Sequence, residues 1–152
     1  NVALLTAALD DRVAGVAVAA AFTPWRDASF PPAIKTIADA HCFLPQLGFW
    51  ENKRQGVPVD YPEIISCIAP RPAFISAPTL DWHANHASVQ QSMKQVAEVY
   101  ALYGQSANLQ FDSPEELNRI SKKMQKDMMH QLTQWSGAVA PGPQKTARRK
   151  EE

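Results

Sequence analysis

Apolar residues recur along this chain in distinct rhythms, and each rhythm predicts an element. Residues 2 to 9, Val-Ala-Leu-Leu-Thr-Ala-Ala-Leu, set Val2, Leu5 and Leu9 at helical spacing and predict the end of a helix already under way. After the polar turn Asp10-Asp11-Arg12, Val13 to Phe22 is a run of Val and small residues with no polar face. Such a strand belongs inside a parallel sheet covered by helices, because an antiparallel sheet facing water alternates. Pro62 and Glu63 followed by Ile64, Ile65 and Ile68, stopping at Pro70, predict a short amphipathic helix. Arg71 to Pro78 is a second short apolar run bounded by prolines, fit for a buried strand that ends at Thr79-Leu80-Asp81. Val89, Met93, Val96, Tyr100 and Tyr103 then mark one face of a helix opened by a capping box of Ser88 and Gln91 and closed by Gly104. Asn108 to Phe111 predicts a third strand. Ser113-Pro114-Glu115-Glu116 has the residues of a helix start, and Ser121 opens a last helix striped by Met124, Met128, Leu132 and Trp135.

Between Thr23 and Tyr61 the rhythm fails. Pro24, Pro31, Pro32, Pro45 and Pro58 interrupt it while Trp25, Phe30, Phe43, Phe49, Trp50 and Tyr61 add bulky apolar surface, and only Ala33 to Ala40 could make two turns of helix. A segment of this length without regular structure is either a site-lining lid or a surface excursion packing its own aromatics. After Gly137 the tail, with Pro141, Pro143 and a cluster of charges, has no periodicity and is expected to be disordered. The expected organisation is therefore an α/β domain over residues 1–136 with an insertion at 23–61 and a tail at 137–152. Three parallel strands are too few for a free-standing open sheet, so the domain is expected to be one half of a larger fold whose amino-terminal half is missing.

Charge and composition remove whole classes of partner. Fifteen Lys plus Arg balance fifteen Asp plus Glu in 152 residues, which gives no electrostatic footprint for nucleic acid or an anionic membrane surface. The longest charge-free apolar stretch, between Arg12 and Arg26, is too short to span about 30 Å of hydrocarbon. Cys42 and Cys67 form neither a disulfide framework nor a zinc motif and are expected to be buried free thiols.

Chemistry in open α/β sheets collects beyond the carboxyl ends of the strands. Asp81 stands at such an end, and Asp81-Trp82-His83-Ala84-Asn85-His86 is the densest cluster of ionisable and hydrogen-bonding side chains in the chain. The local alternative for Asp81 is a turn or capping carboxylate. His130 lies opposite the apolar stripe of the last helix and reads as a surface residue, while His41 sits in the insertion. Asp81, His83 and His86 are all metal-ligand types, but their spacing fits no zinc pattern, so neither metal nor cofactor is expected.

These residues also carry a resemblance. Asn1 to Val18 resembles the helix and strand that follow the nucleophile turn of α/β-hydrolases, and Ile68 to Asp81 resembles the strand that delivers their triad acid. The chain is most similar to the dienelactone hydrolase and acetyl xylan esterase-like group over residues 1–136. The resemblance implies a serine in a G-x-S-x-G turn directly before Asn1, an oxyanion hole formed there and farther upstream, and Asp81 as the carboxylate that orients the catalytic imidazole. It also implies a histidine within Asp112 to Asn118, where this chain has none. Three explanations stay open: His83 or His86 supplies the base; the protein is a non-catalytic binding module or takes its base from the missing half; or the strand placement is wrong and the histidine lies elsewhere. The implied reaction of the complete protein is hydrolysis of a small-molecule ester or acylated carbohydrate through an acyl-serine, with residues 23–61 shaping the pocket.

Overall fold

The computed structural model describes residues 1–19, 22–27, 49–50 and 56–138. The predicted helix from Ala33 to Ala40, His41, Cys42, most of the insertion and nearly all of the tail lie outside the described residues. The elements are α1 (Val2–Leu9), β1 (Val16–Ala19), α2 (Tyr61–Ser66), β2 (Ala73–Ser76), α3 (His86–Leu102), a 3-10 turn (Ser106–Asn108), β3 (Leu109–Asp112) and α4 (Lys122–Ala138). The strands are parallel in the order β1-β2-β3, with Val16 beside Ala73 and Ala73 beside Leu109. The predicted α/β architecture, a parallel sheet flanked by helices, is the one observed.

Period-two alternation divides β2 between two layers. Ala73 and Ile75 join Leu4 and Ala7 of α1, Ile64 and Ile65 of α2, and Val89, Met93, Val96 and Tyr100 of α3 in one core. Phe74 and Ser76 point to the opposite face, where α4 packs across β1 and β2 and buries Met124. Each fully buried aliphatic of this kind, Ile65, Val89 or Val96, contributes about 1.5–3 kcal/mol of transfer free energy.

Several expectations need correction. Pairing in β1 begins only at Val16, whose N–H donates to the Pro72 carbonyl at 2.9 Å, because the prolines ahead of β2 offer no N–H for earlier residues to accept. Helix α3 is capped by Asn85 rather than Ser88: the Asn85 side chain accepts the Ser88 N–H at 3.3 Å, one turn ahead of the expected box. Tyr103 is that helix's carboxyl cap and is 58% exposed, so the buried stripe ends at Tyr100. Ser113 to Glu116 starts no helix, since the Pro114 and Glu116 carbonyls are drawn to the Thr79 and Leu80 N–H groups. Cys67, on the outer side of the turn that ends α2, is exposed.

Gly15 sits where β1 enters the sheet beneath the end of α4. A Cβ there would lie 2.9 Å from the Pro72 carbonyl oxygen and 3.1 Å from Cε3 of Trp135, and that oxygen already accepts the first ladder bond. Gly15→Ala is therefore expected to cost about 1–3 kcal/mol in urea unfolding. Gly137→Ala, with open space around the new methyl, should cost nothing; equal effects at the two positions would refute the close-approach account.

Candidate active site

Parallel strands bring all their carboxyl ends to one edge, and the chain continues from each: Phe22 to Asp27 after β1, Ala77 to Asp81 after β2, Ser113 to Asn118 after β3. The last two segments stay paired beyond the strands. Ala77 N–H donates to Asp112 O at 2.8 Å, Thr79 N–H to Pro114 O at 2.9 Å and Leu80 N–H to Glu116 O at 3.1 Å. This ladder carries Asp81 to the edge with only 5% of its surface exposed.

Around Asp81 the chain makes a tight turn. Its Oδ1 accepts the His83 N–H at 2.9 Å and its carbonyl accepts the Ala84 N–H at 3.1 Å. The structure thus joins Asp81 to the backbone of His83, while the two nearby imidazoles are engaged elsewhere. The exposed His83 ring meets Trp82 edge-on, with centroids 5.2 Å apart, and Trp82 itself is 83% exposed. His86 opens α3 and pairs through Nε2 with the Gln90 amide at 3.0 Å. Among the described residues the second carboxylate oxygen of Asp81 accepts no hydrogen bond, and no group of three or more His, Cys, Asp or Glu could hold a metal ion. His130 is exposed on α4 beside Gln134.

The loop after β1 closes the other side of this edge. Asn85, next to the Asp81 turn, donates its backbone N–H to Thr23 Oγ1 at 2.9 Å and its side-chain amide to Asp27 at 2.7 Å, and the Ser88 hydroxyl donates to the same Asp27 oxygen. Asp60, 1% exposed, accepts the N–H groups of Trp25 at 2.9 Å, Arg26 at 2.8 Å and Tyr61 at 2.7 Å. It is also the amino cap of α2, in a box completed by Glu63. Arg26 pairs with Glu63 and donates to the carbonyls of Val57 and Pro58, each at 3.0 Å.

Tyr61 ties this loop to α1. Its ring stacks on Phe22 at 4.4 Å and lies 4.8 Å from Trp25, and its hydroxyl donates to Asn1 Oδ1 at 2.6 Å. Burial, reinforced by the Asp60 carboxylate, raises the Tyr61 phenol well above its ordinary range, so it remains a donor. Asn1, although placed to cap α1, makes no side-chain capping bond.

No protein-family model and no curated protein matches the chain. Solved structures do. A carbohydrate esterase family 15 glucuronoyl esterase from Caldicellulosiruptor kristjansonii superposes with a TM-score of 0.72 at 19% identity over 99% of this chain and 44% of its own. A glucuronoyl esterase of the same family from Teredinibacter turnerae gives 0.70 at 18% identity over 87% and 37%. The methylesterase BT1017 gives 0.57 at 19% identity over 87% and 27%.

The chain has the fold of part of an α/β-hydrolase.

It spans less than half the length of these structures. Within the hydrolase fold, the edge that gathers Asp81, Trp82 and the Asp60-anchored loop is the carboxyl edge of the sheet. Of its residues, Tyr61 was named among the aromatics of the insertion, whereas Asp60, Arg26 and Asp27 were not singled out by the sequence. Asp60 was recoverable, because Asp-Tyr-Pro-Glu is a capping-box sequence.

Proposed function

We propose that this chain is the carboxyl-terminal part of a serine hydrolase that cleaves carboxylic esters, with an acylated carbohydrate as the substrate class. The observation that carries the reading is Asp81, a nearly buried carboxylate held at the carboxyl edge of an α/β-hydrolase sheet with one oxygen fixed by the His83 N–H and the other open. A triad acid needs a fixed acceptor that orients an imidazole and stabilises its charged form without itself moving a proton. In this reading a serine preceding Asn1 attacks the ester carbonyl, an imidazole takes its proton and returns it to the departing alcohol, and water then hydrolyses the acyl-serine. His83 is the nearer base in sequence. The exposed indole of Trp82 offers the flat apolar face on which a sugar ring stacks.

One observation favours a second reading, a non-catalytic binding module. The segment Ser113 to Asn118 runs beside the approach to Asp81, where the resemblance implies an imidazole, and it contains none.

The deciding experiment treats the protein, extended through the residues before Asn1, with a serine-directed fluorophosphonate and an aryl acetate. The hydrolase reading expects labelling and turnover, a loss of about 10⁴ in kcat in Asp81→Asn, and no turnover by the 152-residue chain alone. A folded extended protein that neither labels nor turns over substrate overturns it in favour of the binding module.

A further inference from the structure

Asp81 lies in a turn that is gripped at both ends by different neighbours. On the entry side, the N–H groups of Ala77, Thr79 and Leu80 bond to β3 and the segment after it, which fixes the approach. On the exit side stands Asn85, the amino cap of α3. Its backbone N–H donates to the Thr23 hydroxyl oxygen at 2.9 Å, and Thr23 is buried in the loop after β1.

The Asn85 side chain is engaged at both of its polar atoms. Oδ1 accepts the Ser88 N–H at 3.3 Å, and Nδ2 donates to Asp27 Oδ2 at 2.7 Å. The Ser88 hydroxyl donates to the same Asp27 oxygen. Turning the amide over would set its oxygen against the carboxylate and its NH₂ against the Ser88 N–H, so the network admits one orientation. Hydrogen bonds to an ionised acceptor are stronger than neutral ones. One oxygen of Asp27 therefore clamps the cap and the first turn of α3 to the loop after β1. Between the two grips, Asp81 is oriented by the backbone that follows it: its Oδ1 accepts the His83 N–H and its carbonyl accepts the Ala84 N–H. A displacement of Asn85 passes through a single peptide bond to Ala84, and from there to Asp81.

We infer that Asp27 is a positioning residue for Asp81, holding through Asn85 and Ser88 the turn whose backbone orients the triad acid. The catalytic consequence rests on the hydrolase reading given above. The hold on the turn does not.

The test uses the protein extended through the residues before Asn1. Asp27→Ala is expected to lower kcat for an aryl acetate by about 10–100-fold, since a misplacement of about 1 Å can cost 10²-fold. KM should stay within about twofold of wild type, because the lost interaction orients the acid and not the ground-state substrate. Asp27→Asn keeps a carbonyl oxygen for both donors and should recover kcat to within about threefold of wild type. Because removing Asp27 could unsettle the loop more widely, Asn85→Ser cuts the same link from the other side while keeping a cap for α3, and should lose kcat to a similar extent. A second measurement needs no turnover. Hydrogen exchange at the His83 and Ala84 amides, both of which donate to Asp81, should quicken about tenfold or more in Asp27→Ala and Asn85→Ser, while Val96 and Tyr100 within α3 stay protected. Unchanged exchange at both amides overturns the inference whether or not the protein is a hydrolase. So does a kcat that Asp27→Ala leaves within about twofold of wild type, or an asparagine variant no better than alanine. Faster exchange in a protein whose wild type cleaves no ester fails the hydrolase reading and upholds Asp27 as the anchor of the turn.

Discussion

Replacing Asp60 by alanine is expected to destabilise the chain by about 3–5 kcal/mol, read as a lower urea midpoint with an unchanged slope. The carboxylate is 1% exposed and accepts backbone N–H groups from two separate stretches, Trp25 and Arg26 on one side and Tyr61 and the capping-box Glu63 on the other. Hydrogen bonds to a charged acceptor contribute about 1.5–3 kcal/mol each, and stranded buried donors add a desolvation cost of similar size. Loss of the α2 cap contributes roughly a further 1 kcal/mol. These contributions share one side chain and do not add fully, which sets the range. Asp60→Asn separates charge from geometry. It keeps one acceptor oxygen but presents an amide NH₂ to one of the same N–H groups, so its loss should fall between wild type and alanine. If the alanine variant loses less than about 1 kcal/mol, the loop after β1 is held by its aromatic packing and not by Asp60.

The same residue shows where sequence reading succeeds and where it stops. The α/β order was legible because period and composition are local: Val13 to Phe22 has no polar face, and Val89, Met93, Val96 and Tyr100 keep helical spacing. Asp81 was legible because its position at a strand end follows from that order. What Asp60 does was not, since two of its bonds cross more than thirty residues of chain. Strand ends were misplaced for a related reason. Pairing depends on what the neighbouring strand offers, and Pro72 fixes the start of β1 from a distant point in the sequence. The cap of α3 moved to Asn85 because that residue also satisfies Thr23 and Asp27 across the site edge, a gain invisible to a local capping rule. Most consequentially, the cluster Asp81 to His86 names the chemistry present but not its orientation. One backbone bond from His83 to Asp81 leaves the imidazoles to find Trp82 and Gln90 instead.

The amino edge of the sheet has its own organising residue, and its removal should be nearly as costly. Arg71 leads into β2 and is half-buried; its guanidinium donates to Asp10 O at 3.0 Å, Val13 O at 2.7 Å and Ala7 O at 2.7 Å, with a longer 3.4 Å contact to Cys67 O. Ala7 and Asp10 close α1 and Cys67 closes α2, so one cation meets the negative ends of two helices and their unsatisfied carbonyls. The Arg71 carbonyl in turn accepts the buried Tyr100 hydroxyl of α3 at 2.8 Å. Three helices and the approach to β1 are therefore referred to a single residue. Arg71→Ala is expected to cost about 2–4 kcal/mol in urea unfolding, through three stranded carbonyls and the lost helix-end interaction. Arg71→Lys keeps the charge but has one nitrogen where the guanidinium has two facing different acceptors, so it should recover less than half of that loss. Full recovery by lysine would mean that charge at the helix ends, and not the forked geometry, holds the amino edge together. Because Arg71 and Asp60 share no hydrogen-bond partner, the losses in Asp60→Ala and Arg71→Ala should add to within about 0.5 kcal/mol in the double variant; a larger deviation would show that the two edges of the sheet are coupled through the core.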